Sequence, residues 1–121
     1  MVVEYNGGSI EISDSVLKEI VYRNLSEILG INPEDSKAQK RLRKMINVTR
    51  TPEDHVIVNI KDLAVPYGEK ITDFAKKIME RIKEDIERMT EIPVDAVNVE
   101  VTDVVEKERM EETLSSSDEE S

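Results

Sequence analysis

The chain has 121 residues, enough for one small hydrophobic core but not for two independent domains. It holds no cysteine and a single histidine, which removes disulfides, thiolate nucleophiles and Cys-based zinc or iron–sulfur sites, and leaves His-based chemistry one imidazole. The net charge is −10, and half of the excess lies between Glu106 and Ser121, where seven acids face two bases.

In chain order, residues Met1 to Asn6 lack the basic start and apolar run of a secretory signal. No later stretch approaches the ~20 apolar residues of a membrane-spanning helix, so the expected location is cytoplasmic. After a Gly7-Gly8 turn, Ile10 and Ile12 alternate with Ser9 and Glu11 and read as a short strand. Ser13 or Asp14 can then cap a helix in which Leu17, Ile20, Val21, Leu25 and Ile28 recur every three or four residues, and Gly30 suits its left-handed exit. The segment "INPEDSKAQKRLRKM" predicts a second short helix, with Asn32 as cap, Pro33 in the first turn, and Lys40, Arg41, Arg43 and Lys44 near the negative end of the dipole. Its apolar stripe of Ala38, Leu42 and Met45 is narrow, so this helix is expected on the surface.

The alternating segments "MINVTR" and "HVIVNI", separated by "TPED", predict an antiparallel hairpin. Counting by twos puts Asp62 on the same face as Val56, Val58, Ile60 and Ala64; because an unpaired buried carboxylate is costly, a bulge at Lys61-Asp62 that turns the acid outward is expected instead. At Tyr67-Gly68 the chain leaves the sheet. From Thr72, taken as a cap, Phe74, Ala75, Ile78, Met79, Ile82, Ile86 and Met89 form the longest apolar stripe of the chain. Pro93 follows it, and "AVNVEVTDVV" supplies a last strand with Val97, Val99 and Val101 facing one way. Strand, helix and strand in succession predict a parallel crossover, so the hairpin's second strand and the last strand belong to one sheet. The fold expected is α+β and two-layered, a small mixed sheet in the order β-α-α-β-β-α-β with helices mainly on one face. One domain spans residues 1–105, and an acidic tail at 106–121, too polar to bury surface, is read as disordered.

These residues also resemble a known family. The order "GGSIEIS", an amphipathic helix, and then "PYGEKITDFAKKIMERIKEDIERMTEIPVDAVNVEVTDVV" is similar to the alkaline-shock proteins, envelope stress-response proteins found mostly in Gram-positive bacteria. The resemblance rests on Tyr67 and Gly68 at a strand end, Ile71, a long helix ending near Met89-Thr90, and Val97, Val99 and Val101 after Val94, and covers roughly residues 7–105. Between Gly30 and Met45, where members often carry a glycine-rich segment, this chain has a charged one. The resemblance implies a non-enzymatic protein in envelope stress response or cell-envelope and lipid homeostasis, reaching the inner face of the membrane through a partner, without cofactor, metal or catalytic residues.

The residues give the same picture. His55, the only histidine, follows "TPED" and reads as an exposed turn residue, and Glu84 and Asp85 lie on the polar side of a helix. The partner expected is an envelope-associated or cytosolic protein, with self-association through an exposed edge as a further option and no direct membrane insertion. The docking surface is assigned to Lys40, Arg41, Arg43, Lys44 and Tyr67, against the alternative that Tyr67 packs under the long helix and the cations form a solvated face. A rival reading is a KH-like RNA-binding protein that uses the basic helix at 37–44. The net charge of −10, Pro33 at the fourth position of the required GxxG loop, and the absence of tryptophan weigh against it.

Overall fold

The computed structural model describes residues 2–106. Eight elements follow one another: β1 (Val2–Tyr5), β2 (Gly8–Glu11), α1 (Asp14–Leu29), α2 (Ser36–Lys44), β3 (Ile46–Arg50), β4 (Val56–Pro66), α3 (Ile71–Thr90) and β5 (Val94–Val105). The acidic tail lies, beyond Glu106, outside the described residues.

The main sheet has the order β3-β4-β5, with β3 antiparallel and β5 parallel to the central strand. This is the hairpin and crossover that the alternation and the strand-helix-strand order predict. The first strand behaves differently. Instead of joining the main sheet, β2 pairs with an additional strand, β1, in a separate antiparallel ribbon. Its turn is Asn6-Gly7, with φ of 46° and 84°, the two positive values that a two-residue hairpin needs to match the twist of its strands.

Helices α1 and α3 pack on each other; α1 lies against β3 and α3 against β5. The face they cover carries Val56, Val58, Ile60, Leu63 and Val65 of β4, all at 0–1% exposure. From the helices come Leu17, Val21 and Leu25 of α1 and Ile78, Ile82 and Ile86 of α3, all fully buried. Burying each such side chain contributes roughly 1.5–3 kcal/mol relative to leaving it in water. α2 meets this core with the narrow stripe expected, Ala38, Leu42 and Met45, all buried.

Two helix starts differ from the sequence reading. α2 is capped by Asp35, whose carboxylate accepts from the Ala38 amide at 3.0 Å, not by Asn32. Asn32 instead accepts from the Glu34 amide at 2.9 Å, closing a local turn that holds Pro33 and Glu34 outside the helix. α3 begins at Ile71 behind Lys70, not Thr72, and has no side-chain cap. The helix exit at Gly30 is as expected, left-handed at φ 70°. So is the bulge in β4. The ladder to β5 slips between Ile60 and Leu63, and Asp62 adopts φ 55°, which rotates its carboxylate out to 52% exposure.

Candidate functional site

Helix α2 carries the four cations assigned to docking, and the structure divides them. Arg43 lies over the Tyr22 ring at 3.8 Å from its centroid and donates to Glu19 at 2.8 Å. Glu19 also accepts from Arg23 at 2.9 Å. The Arg43 hydrogen bond holds the Glu19 carboxyl below the usual carboxylate range against an opposing push from partial burial, with Arg23 assisting; the same bond raises Arg43. Arg43 is therefore an internal strap between α1 and α2. Arg41 stands 3.8 Å from the carboxylate of Asp62, so it leans from α2 onto the β4 bulge. Lys40 and Lys44 are exposed on the outer side of α2.

Below the strap, Tyr22, Arg43 and the loop Gly30–Pro33 line an open groove of about 810 Å³. Gly30 forms a helix exit there, Ile31 is buried, and Pro33 at the fourth position has no amide proton to offer a phosphate, unlike the glycine of a clamping GxxG loop. A second groove, about 430 Å³, runs between α1 and α3 past Val16, Ile20, Asn24, Asp85 and Met89. Burial pushes the Asp85 carboxyl up, but hydrogen bonds from Asn24 and Arg88 outweigh it and leave the group below its ordinary value.

Tyr67 is elsewhere. It follows the end of β4, roughly 15 Å along the strand from the bulge that meets Arg41. The structure thus does not bring Tyr67 and the α2 cations into one patch. Its amide donates to Val105 O at 2.7 Å, which fixes the corner to the end of β5, while the side chain is 74% exposed. Beside it in the fold, Ile71 at the start of α3 and Val104 near the end of β5 are 44% and 43% exposed. The packed alternative for Tyr67 does not hold in this geometry: the ring stands in solvent at the corner where the chain leaves β4.

At the opposite end of β4, His55 is half-buried and its Nδ1 lies 2.8 Å from Asp95 Oδ1 at the start of β5. The exposed Glu53 stands close by, so that one ligand atom from each of Glu53, His55 and Asp95 falls within 4.8 Å of the others. The sequence reading of His55 as an exposed turn residue missed this grouping. Asp95 is 40 residues away in the chain, and only the parallel register of β4 with β5 connects them.

Arg50 was also missed. At 18% side-chain exposure it donates to Asp14 at 2.9 Å, to Asp54 at 2.8 Å and to the Ile12 carbonyl at 2.9 Å. It ties the entry of α1 to the end of β3 and to the hairpin turn.

No helix among the described residues is long and apolar enough to cross a membrane. A family model matches residues 3–106: the alkaline shock protein 23 family, described as having a cell envelope-related function. The chain is also 32% identical over 111 residues, 80% of its length and 88% of the relative's, to the "Uncharacterized protein Spy1614" of Streptococcus pyogenes serotype M6. No solved structure matches. The match spans every element of the fold, from the N-terminal ribbon to the last strand, and the chain belongs to the alkaline shock protein 23 family, whose function is related to the cell envelope.

Proposed function

We propose that this domain serves the cell envelope by docking onto a protein partner, and that the docking surface is the corner of the fold around Tyr67. The observation that carries the reading is the exposure of Tyr67, Ile71 and Val104 together, on an otherwise strongly charged molecule. A large aromatic ring with a hydroxyl, flanked by aliphatic side chains and held on a hydrogen-bonded corner, is the kind of anchor that supplies most of the energy in protein interfaces. The α2 cations have a lesser role. Arg43 and Arg41 are engaged within the fold. Lys40 and Lys44, exposed at a distance from Tyr67, contribute to encounter rate rather than to affinity. The protein works in the cytoplasm and reaches the membrane through that partner, without a chemical step of its own.

The test compares binding of the purified full chain to native inner-membrane vesicles, to the same vesicles after protease treatment, and to liposomes of the extracted lipid. Co-sedimentation with the first alone, reduced at least tenfold by Tyr67→Glu with the melting temperature unchanged, is the expected result. Equal binding to bare lipid, or no effect of Tyr67→Glu, would overturn the reading.

A further inference from the structure

We propose that Glu53, His55 and Asp95 form a binding site for a divalent transition cation at the turn end of the main sheet. One ligand atom from each residue already lies within 4.8 Å of the other two. The donor set is one imidazole and two carboxylates. An imidazole selects against Mg²⁺ and Ca²⁺, which prefer oxygen alone, and two carboxylates match the charge of a dication. Three protein ligands leave at least one position open to water, as in an accessible zinc site.

The backbone holds two of the three ligands in place. The loop from Thr51 to His55 is closed by the Thr51 amide on His55 O at 2.9 Å, and by the His55 amide on the Thr51 hydroxyl at 3.0 Å. The start of β5 is fixed beside it by the Val56 amide donating to Pro93 O at 2.9 Å, and Val56 pairs with Val94. His55 and Asp95 therefore flank one rung of the sheet. Asp54, the other acid of this turn, is held by Arg50 at 2.8 Å. Glu53 is exposed and can close on an ion from the solvent side.

In the metal-free chain, His55 Nδ1 and Asp95 Oδ1 lie at hydrogen-bond distance, 2.8 Å. A cation entering there replaces that hydrogen bond. It takes the Nδ1 lone pair of the neutral ring, whose single proton then sits on Nε2, together with the ionised Asp95 carboxylate, and no proton is lost overall. The pair opens by roughly 0.5 Å, to the separation of two ligands each about 2.0–2.1 Å from a tetrahedral ion. The bound ion then staples the hairpin turn to the start of β5, which are 40 residues apart in the chain. This site is independent of the Tyr67 surface.

The experiment titrates the full chain with Zn²⁺ alone, with Mg²⁺ as control, and follows the imidazole in long-range proton–nitrogen spectra. The single histidine makes the assignment unambiguous. Expected are imidazole shifts that saturate at one equivalent of Zn²⁺ and do not occur with Mg²⁺, and a higher melting temperature with Zn²⁺. Calorimetry should show affinity reduced at least tenfold in His55→Gln and Asp95→Asn. Glu53→Gln, a change at an exposed position that leaves the turn's hydrogen bonds intact, should weaken binding severalfold and keeps the test valid if either other variant fails to fold. Zn²⁺ binding with the imidazole signals unmoved, or equal affinity in wild type and Glu53→Gln, would place the ion on other carboxylates of this acidic chain and overturn the proposal.

Discussion

Arg50, the last residue of β3, joins two parts of the chain: the entry of α1, through the Ile12 carbonyl and Asp14, and the hairpin loop, through Asp54. Its guanidinium can meet all three acceptors at once because its donors fan out in a plane; an ammonium is a point charge and cannot. Arg50→Ala should cost about 2 kcal/mol in urea unfolding, since the two carboxylates regain water but the Ile12 carbonyl loses its donor. Arg50→Lys should recover less than half of that. Glu19 makes a different kind of prediction. Its carboxyl is held below the usual range by Arg43, so it takes up its proton at higher pH in the unfolded chain than in the folded one. The stability it adds is therefore present above the unfolded carboxylate pKa of about 4.3 and is lost as pH falls through the lower folded value. Glu19→Gln should flatten the pH dependence of the unfolding midpoint in the acid range by lowering the midpoint at neutral pH, where the carboxylate is ionised, while the two midpoints converge in acid; the difference is small because the group is substantially exposed.

At the scale of elements, α3 is the strongest helix by its buried face and the weakest by its ends. Lys70 at its N-cap has no acceptor to offer the free amides, and its charge opposes the positive end of the dipole. Glu91 closes the other end at φ 62°, where a side chain is strained. Lys70→Ser should stabilise the domain by roughly 1 kcal/mol, and Glu91→Gly by about 0.5–1 kcal/mol, both read from chemical denaturation. These ends also show what was legible beforehand. The body of α3 was plain because Ile78, Ile82 and Ile86 repeat at helical spacing and all are buried, and the β4 bulge was plain because the alternative buried an acid. The start of α2 was misplaced because two cap-type residues, Asn32 and Asp35, compete locally, and which one wins depends on where Ala38 must sit in the core. The β1–β2 ribbon was missed although its Asn6-Gly7 pair is a strong hairpin signal; reading the turn one residue late hid it. The Arg50 contacts to Asp14 and Ile12 and the His55–Asp95 pair had no local signature, since those partners are 36 to 40 residues away and are brought together only by the packing of α1 on β3 and by sheet register; Asp54 alone is local to Arg50.

Across the whole molecule, charge acts in two opposing directions. A net charge of −10 on 121 residues makes the compact state repel itself, while the ion pairs of the described residues pull the other way. Salt screens both, so the sign of its effect tells which is larger. Pairs such as Arg23 with Glu19 and Arg88 with Asp85 span one helical turn and have largely exposed arginines, which makes each worth only about 0.3–0.5 kcal/mol. The pairs of Arg50 are stronger, but at 18% exposure of that side chain they are screened least. Screening therefore removes little attraction and much repulsion. The melting temperature should rise by a few degrees between 20 mM and 500 mM NaCl (~20 Å and ~4 Å Debye lengths), followed by far-UV circular dichroism because the chain has no tryptophan. A fall over the same range would mean that the exposed pairs act as a network worth more than their sum, and would point first to the Glu19 cluster that straps α2 to α1, where Arg23 and Arg43 share one carboxylate.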